Sequence, residues 1–351
     1  MTRAEPMPSR SLADRFPDLL PLGGHPTADM PPHIVEAAAA AAQRPAYAPI
    51  QGSRALREAI AERHAVEPEQ VLVTLGGMQA LHLAALAFGS RSVVHAPSFF
   101  FPQIARAAGG DCALAYDWDE YAAAVTGDTT LAIVNTPVNP SGYVLRGDDL
   151  DAVARAVSGT EAVVVSDEAY AGVVYDGVPL LSPASHPDLA PRTVVLRSFS
   201  KTFAMAAWRV GYAVGPRDAI VAMTRLHGWQ ALAIDAVAQA AALAALTGPR
   251  AWLDAALAEL AEMRPRAIAA ANATGPLHAD VPEAAAFVWA AVDGDEDAWS
   301  ERLARDHRLP AVPGRHFGAR TPHLRIPFGG PRDARDALLA ELARVTTADT
   351  S

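Results

Sequence analysis

Through the middle of the chain the apolar positions come in short, unbroken runs. Val71–Thr74, Ser92–Ala96, Leu131–Asn135, Ala162–Ser166, Thr193–Arg197 and Gly211–Val214 are rich in β-branched residues, and most do not alternate with polar ones. A strand with one wet face alternates, whereas an apolar run is buried on both faces, as in a mainly parallel sheet covered by helices. Between the runs the apolar period lengthens to that of a helix, as in Met78–Phe88 and Asp148–Val157. The pattern predicts an α/β fold: a three-layer large domain with a mainly parallel sheet, over residues 46–246.

Beyond Gly215 the pattern changes. A periodic apolar stretch predicts one long helix over 217–246, stopped by Thr247-Gly-Pro249. A helix from Trp252 to Asn272 follows. Two strands, Ala286–Val292 and His323–Pro327, then stand among helices at Asp295–His307 and Pro331–Arg344. This is a smaller α+β domain, residues 247–351, with which the proline-rich residues 1–45 are expected to pack.

Composition narrows the functional classes. Hydrophobic residues make up 51% of 351, enough for a large core. The net charge of −10, with no cluster of basic residues, argues against nucleic acid or an anionic membrane as partner. One cysteine, Cys112, rules out an internal disulfide framework and reads as a small buried residue. There is no 18-residue apolar span, and Met1-Thr-Arg-Ala-Glu-Pro has no apolar h-region, so a soluble cytoplasmic protein is expected. The 11 histidines are scattered without a His-Glu-x-x-His, which leaves metal hydrolysis and any metal site without support.

In open α/β sheets, ligands bind beyond the carboxyl ends of the strands. Polar residues gather at those ends: Gly76-Gly77, Asn135, Asp167, Ser198 and Lys201. In Arg197-Ser-Phe-Ser-Lys201, a strand delivers two serines and a lysine to a turn, with Arg209 eight residues on. Apolar flanks desolvate Lys201 and free its amine for attack on an aldehyde. Arg209, Ser198 and Ser200 are donors suited to a phosphate dianion. Asp167, in Val164-Val-Ser-Asp-Glu-Ala-Tyr170, ends an apolar strand, where a carboxylate needs a cationic partner. A protonated pyridine nitrogen is one such partner, and a capping role at a helix start is another use of the same residue. Tyr170 is placed to donate to a ring oxygen. Asn139, in Asn135-Thr-Pro-Val-Asn-Pro-Ser-Gly142, projects an amide from a turn stiffened by two prolines. Gly77 and Met78 open a helix whose N-terminal amides favour an anion. Phe99 offers a face for stacking.

Together and in this order, these segments resemble the class I/II aminotransferases, which are fold-type I pyridoxal-phosphate-dependent enzymes. The resemblance runs from about Leu22 to Gly329 and is most specific in Ser198-x-Ser-Lys201 with Arg209, Asp167-x-x-Tyr170, and Asn135-x-Pro-x-Asn139-Pro-x-Gly142. It implies pyridoxal 5′-phosphate held by Lys201 as a Schiff base, and transfer of an amino group between an α-amino acid and a 2-keto acid. Asp167 then pairs with the ring nitrogen, Tyr170 and Asn139 hold the ring oxygen, and Phe99 covers the ring. Ser198, Arg209 and the amides of Gly77 and Met78 bind the phosphate. Tyr47 resembles the tyrosine that reaches the neighbouring subunit's phosphate, which implies a homodimer with shared sites. Arg325 resembles the arginine that grips the substrate carboxylate, and Gly24 lies in the segment that closes over the substrate.

The sequence departs from that pattern in places. His25 stands where substrate is expected, and Arg315 and His316 replace smaller residues. Leu226–Ile234 is poorer in Ser and Thr than in relatives, which implies fewer phosphate contacts from the partner subunit. No second arginine stands out for a side-chain carboxylate, which argues against aspartate as preferred donor. Lyases, cyclases or synthases, and oxidases share the scaffold and stay open as alternatives. A serine acylase, suggested by Ser198-x-x-Lys201, lacks the Ser-Asp-Asn and Lys-Thr-Gly elements. A DNA-binding regulator needs a further domain, and the residues before Tyr47 are too few.

Overall fold

The computed structural model describes residues 7–27, 29–44 and 46–345. The central element is a seven-stranded sheet: β1 (Val71–Thr74), β2 (Arg91–His95), β3 (Asp111–Ala115), β4 (Leu131–Asn135), β5 (Val163–Asp167), β6 (Thr193–Ser198) and β7 (Gly211–Val214). Its order is β1-β7-β6-β5-β4-β2-β3. Only β7 runs against its neighbours, pairing antiparallel with β6 and β1. The remaining pairs are parallel.

Why the runs are apolar throughout is visible in the packing. On β1 and β4, Leu72, Leu131 and Ile133 face one helical layer with Ala80, Leu83, Phe101 and Met223. Their neighbours Val71 and Val73 face the opposite layer with Ile60 and Ala241. Ala132 and Val134 face Tyr121 and Val153 on that same side. Side chains alternate between faces, so a sheet covered on both needs apolar residues at both parities. This is the expected three-layer architecture.

The second sheet has four antiparallel strands in the order β10-β11-β9-β8: β8 (Leu277–Ala279), β9 (Phe287–Val292), β10 (Val312–Pro313) and β11 (His323–Pro327). One face rests on helices Ala251–Asn272, Glu296–His307 and Arg332–Leu342, through Leu260, Ala267, Trp299 and Leu338.

Several details differ from the sequence expectation. β3 is an extra edge strand whose polar start and alternating exposure hide it in an apolar count. Cys112 lies on it half-buried rather than in the core; burial still pushes its thiol up to about 12. The single helix expected over 217–246 is two, Arg217–Ala231 and Ala236–Thr247. The break falls at Leu232, with φ 58°, and Asp235 restarts the chain by accepting from the Val237 N–H at 2.9 Å. β8 and β10, three and two residues long, are too short to register as periodicity. Helix Pro32–Ala42 joins the core of the large sheet through Ile34 and Ala38, rather than resting on the smaller sheet. Residues 1–6, 28, 45 and 346–351, included in the domain expectation, lie outside the described residues.

Candidate active site

The carboxyl ends of β4, β5 and β6 lie side by side, and β7 begins at the same edge because it runs the other way. Four chain segments meet there for that reason alone. Ser198 closes β6 and caps the short helix Phe199–Thr202, its Oγ accepting from the Ser200 N–H at 3.2 Å. That helix carries Lys201, which is the chain's single lysine, every other strongly basic side chain being arginine. Desolvation, and then the charges of Arg325 and Arg209, lower its ammonium pKa to about 8. Its Nζ stands 5.8 Å from the centre of the Tyr170 ring.

Asp167 ends β5. Its carboxylate accepts only the Ala169 N–H, at 3.0 Å, and no cation pairs with it among the described residues. Burial pushes it up to about 6, the backbone bond opposes this, and the charge of Glu168 adds to it. Glu168 itself points away and is fully buried, neutralised by Arg197 at 3.1 and 2.7 Å. A buried carboxylate without a cationic partner is costly, and its chemistry suits a cation from outside the chain.

Asn135 and Asn139 form a clasp beside it. Asn135 Nδ2 donates to the Asp167 carbonyl at 2.8 Å, and its Oδ1 accepts the Asn139 N–H at 2.8 Å. The Asn139 amide thereby faces Arg325, whose Nη1 donates to its Oδ1 at 3.0 Å. Arg325 comes from the middle of β11, so the second sheet supplies a group to the first. Its guanidinium lies between the rings of Phe287 and Phe317, at 4.4 and 4.7 Å. Among the described residues no carboxylate answers it, and its buried Nε has no hydrogen-bond partner. Burial lowers even this guanidinium to about 10.

On the other side of Lys201 lies a cradle. Gly76 has φ 72°, and a Cβ there would stand 2.7 Å from Arg209 Nη2. A Cβ on Gly211 would come within 2.5 Å of Gly76 and 2.6 Å of the Gly77 amide nitrogen. These glycines let β7 and the start of helix Gly76–Phe88 approach backbone to backbone. Arg209 folds back to donate to Ser200 Oγ at 3.1 Å and to the Ala206 carbonyl at 2.9 Å. Helix amides, a hydroxyl and a guanidinium converge as an anion site. Met78 packs beneath the helix start.

Gly24 approaches from the N-terminal segment. A Cβ on it would fall 2.2 Å from Phe287 Cζ and 3.1 Å from the Tyr170 hydroxyl. Tyr170 is buried, and desolvation holds its phenol above its ordinary range. His25 follows, half-buried and close enough to Lys201 for that charge to help hold its pKa below the usual value, after burial. Phe99 packs against Phe100 at 4.7 Å, which stacks on Phe317. Arg315 is held by Asp297 at the surface. Tyr47 is not brought to this site; it is 87% exposed. The sequence reading passed over Phe287, Phe317, Gly211 and the Glu168–Arg197 pair. Only the lone lysine was there to be counted.

Every polar requirement of pyridoxal phosphate has a fitting residue: an amine, a carboxylate without a cationic partner among the described residues, and an anion cradle. Fold and site together define a fold-type I pyridoxal-phosphate enzyme. The model of the aminotransferase class I and II family matches residues 20–342, and the chain belongs to that family. It is 33% identical to the aspartate/prephenate aminotransferase of Thermus thermophilus, over 93% of this chain and 91% of that protein. It is 34% identical to the methionine aminotransferase of Escherichia coli, over 56% of this chain and 55% of the other. The solved structure of Thermus thermophilus aspartate aminotransferase with maleate superposes with a TM-score of 0.88 and 31% identity, covering 97% of each chain. The protein is a pyridoxal-phosphate-dependent aminotransferase acting on amino and keto acids. Nothing favours the lyase, synthase or oxidase alternatives. Among the described residues no helix is long and apolar enough to cross a membrane, and no cluster of His, Cys, Asp and Glu could hold a metal ion.

Proposed function

We propose that Lys201 holds the cofactor covalently through Nζ and carries the proton in transamination. The observation that supports this most is the pairing of the chain's only lysine, lowered to about 8, with the unpaired buried Asp167 across one small site. Bound pyridoxal phosphate supplies an aldehyde and a ring that accepts the electron pair left at the substrate's α-carbon. Asp167 keeps the ring nitrogen protonated. Asn139 and Tyr170 orient the ring oxygen, and Phe99 covers the ring face. Ser198, Arg209 and the Gly77 and Met78 amides hold the phosphate. Arg325 binds the α-carboxylate in a bidentate pair, left available for it because no carboxylate pairs with it among the described residues. Lys201 Nζ would take the proton from the substrate's α-carbon and would give it up at the cofactor carbon that had carried the aldehyde, a task suited to an amine whose pKa is lowered to about 8. Gly24 and His25 close over the substrate.

A homodimer belongs to the same reading. Tyr47 at 87% and Trp229 at 93% exposure are large apolar side chains left open to solvent, and Ile50, near Tyr47 in sequence, packs near Gly228 beside Trp229. Tyr47 is far more useful so exposed if it serves a second copy's phosphate. A cytoplasmic setting fits a chain with one cysteine. We also divide the chain into a cofactor domain and a smaller domain with the N-terminal segment. The packing of Ile34 and Ala38 against the large sheet's core supports a first boundary ahead of Pro32 rather than at residue 46.

Borohydride reduction of the purified holoenzyme, followed by peptide mass mapping, tests the central assignment. The expected result is loss of the visible absorbance and one pyridoxyl adduct on Lys201. An adduct on the N-terminal amine alone, or none, would overturn it.

A further inference from the structure

His25 lies on a segment tied down at Gly329. Gly23 forms an isolated bridge with Gly329, its N–H donating to the Gly329 carbonyl at 2.9 Å. A Cβ on Gly329 would stand 2.3 Å from the His25 carbonyl, so the clasp is closed backbone to backbone. The strap is thereby fastened to the residues just past β11, the strand that carries Arg325, and Gly24 is wedged under Phe287 and Tyr170.

Within this frame the imidazole has one definite tautomer. Its Nδ1 lies 2.9 Å from the Pro26 carbonyl oxygen, which can only accept, so Nδ1 carries the hydrogen. Burial, and then the neighbouring Lys201 charge, hold the ring's pKa below its usual value, which favours the neutral form. Nε2 is therefore a lone-pair acceptor, and among the described residues the ring's hydrogen bond is the one at Nδ1. Gly23 makes room for the ring, since a Cβ there would fall 2.8 Å from Nε2. The α-carboxylate has no use for such an atom, because both are acceptors, and its place is at Arg325 and Asn139. What remains for Nε2 is the end of the substrate that differs between amino acids.

We propose that His25 selects the substrate's side chain: its Nε2 favours amino acids ending in an N–H or O–H donor and disfavours those ending in a carboxylate. This rests on the aminotransferase site assigned above. It gives the site a hydrogen-bond preference that the shared motifs do not carry. A site built to pair with a donor leaves its own acceptor unsatisfied when the donor is missing, and that asymmetry is a strong source of discrimination.

Isosteric pairs test it with the holoenzyme: glutamine against glutamate, asparagine against aspartate, tyrosine against phenylalanine. In the pair used best, kcat/KM for the donor-bearing member is expected to be about tenfold higher or more. His25→Phe should collapse that ratio toward unity, and His25→Gln, which restores an acceptor oxygen, should recover part of it. Calorimetry with amine-free acids, glutaramate against glutarate for the first pair, should show the same preference without turnover. If Lys201 takes the borohydride label but carboxylate-ended substrates win, or the ratio survives in His25→Phe, the assignment of His25 falls alone. If Lys201 takes no label, both fall together.

Discussion

At the scale of single residues, the site is a set of groups placed where water cannot satisfy them. Two carry opposite pH signatures in the cofactor-free protein. Asp167 titrates near 6 when folded against 3.8 ordinarily, so the folded chain holds the extra proton between those values. Stability therefore falls as pH rises from 3.8 to about 6, and the cost is fully present above that. Lys201 titrates near 8 against 10.5, so the unfolded chain holds the extra proton and stability rises with pH across that window. Asp167→Asn should accordingly stabilise the cofactor-free protein at pH 7, by up to roughly 3 kcal/mol from a shift of about two units. It should also slow transamination by roughly a thousandfold. Chemical denaturation and single-turnover absorbance measure the two effects separately, and a destabilised variant would contradict the unpaired carboxylate. Lys201, Asp167 and Asn139 were legible as motif residues because their chemistry is local to a strand end. Phe287 and Phe317 were not, since a phenylalanine beside an arginine in space is only a phenylalanine in sequence.

At the scale of elements, short contacts between backbones decide more than side-chain chemistry does. Gly24 under Phe287, Gly23 on Gly329 and Gly211 against Gly76 are each tight enough that a methyl group has nowhere to go. Gly24→Ala would press on a ring that is itself stacked on Arg325 at 4.4 Å. The expected outcome is a rise in KM of roughly tenfold, with thermal melting shifted far less, because the contact lies in the strap and not in the core. Steady-state kinetics beside a circular dichroism melt will show it; equal losses in both would assign Gly24 to folding instead. The helix break at Leu232 belongs to this scale too. Apolar periodicity continues across it, so composition alone predicts one helix, and only the Asp235 cap and the positive φ reveal two. β3 escaped for the opposite reason: an edge strand is half wet, and its pattern is that of a loop.

At the scale of the whole molecule, the open question is what covers Tyr47 and Trp229. In a dimer of the proposed kind, light scattering should give twice the 36.8 kDa of the chain. Trp229→Glu should shift the mass toward one copy and lower cofactor occupancy with it, because each site then loses a partner's tyrosine. A monomer that keeps full occupancy would remove Tyr47 from the site. The sequence by itself determined the layered sheet, since burial on both faces demands apolar residues at both parities. It also picked out polar groups that the sheet gathers at its strand ends, Asn135, Asp167, Ser198 and Lys201, since those sit there in fixed order. The tertiary structure alone decided how Arg325 meets Asn139 across two sheets, which aromatic rings hold it, and which nitrogen of His25 is left free. Those contacts join residues up to 186 apart in sequence, where no local pattern reaches.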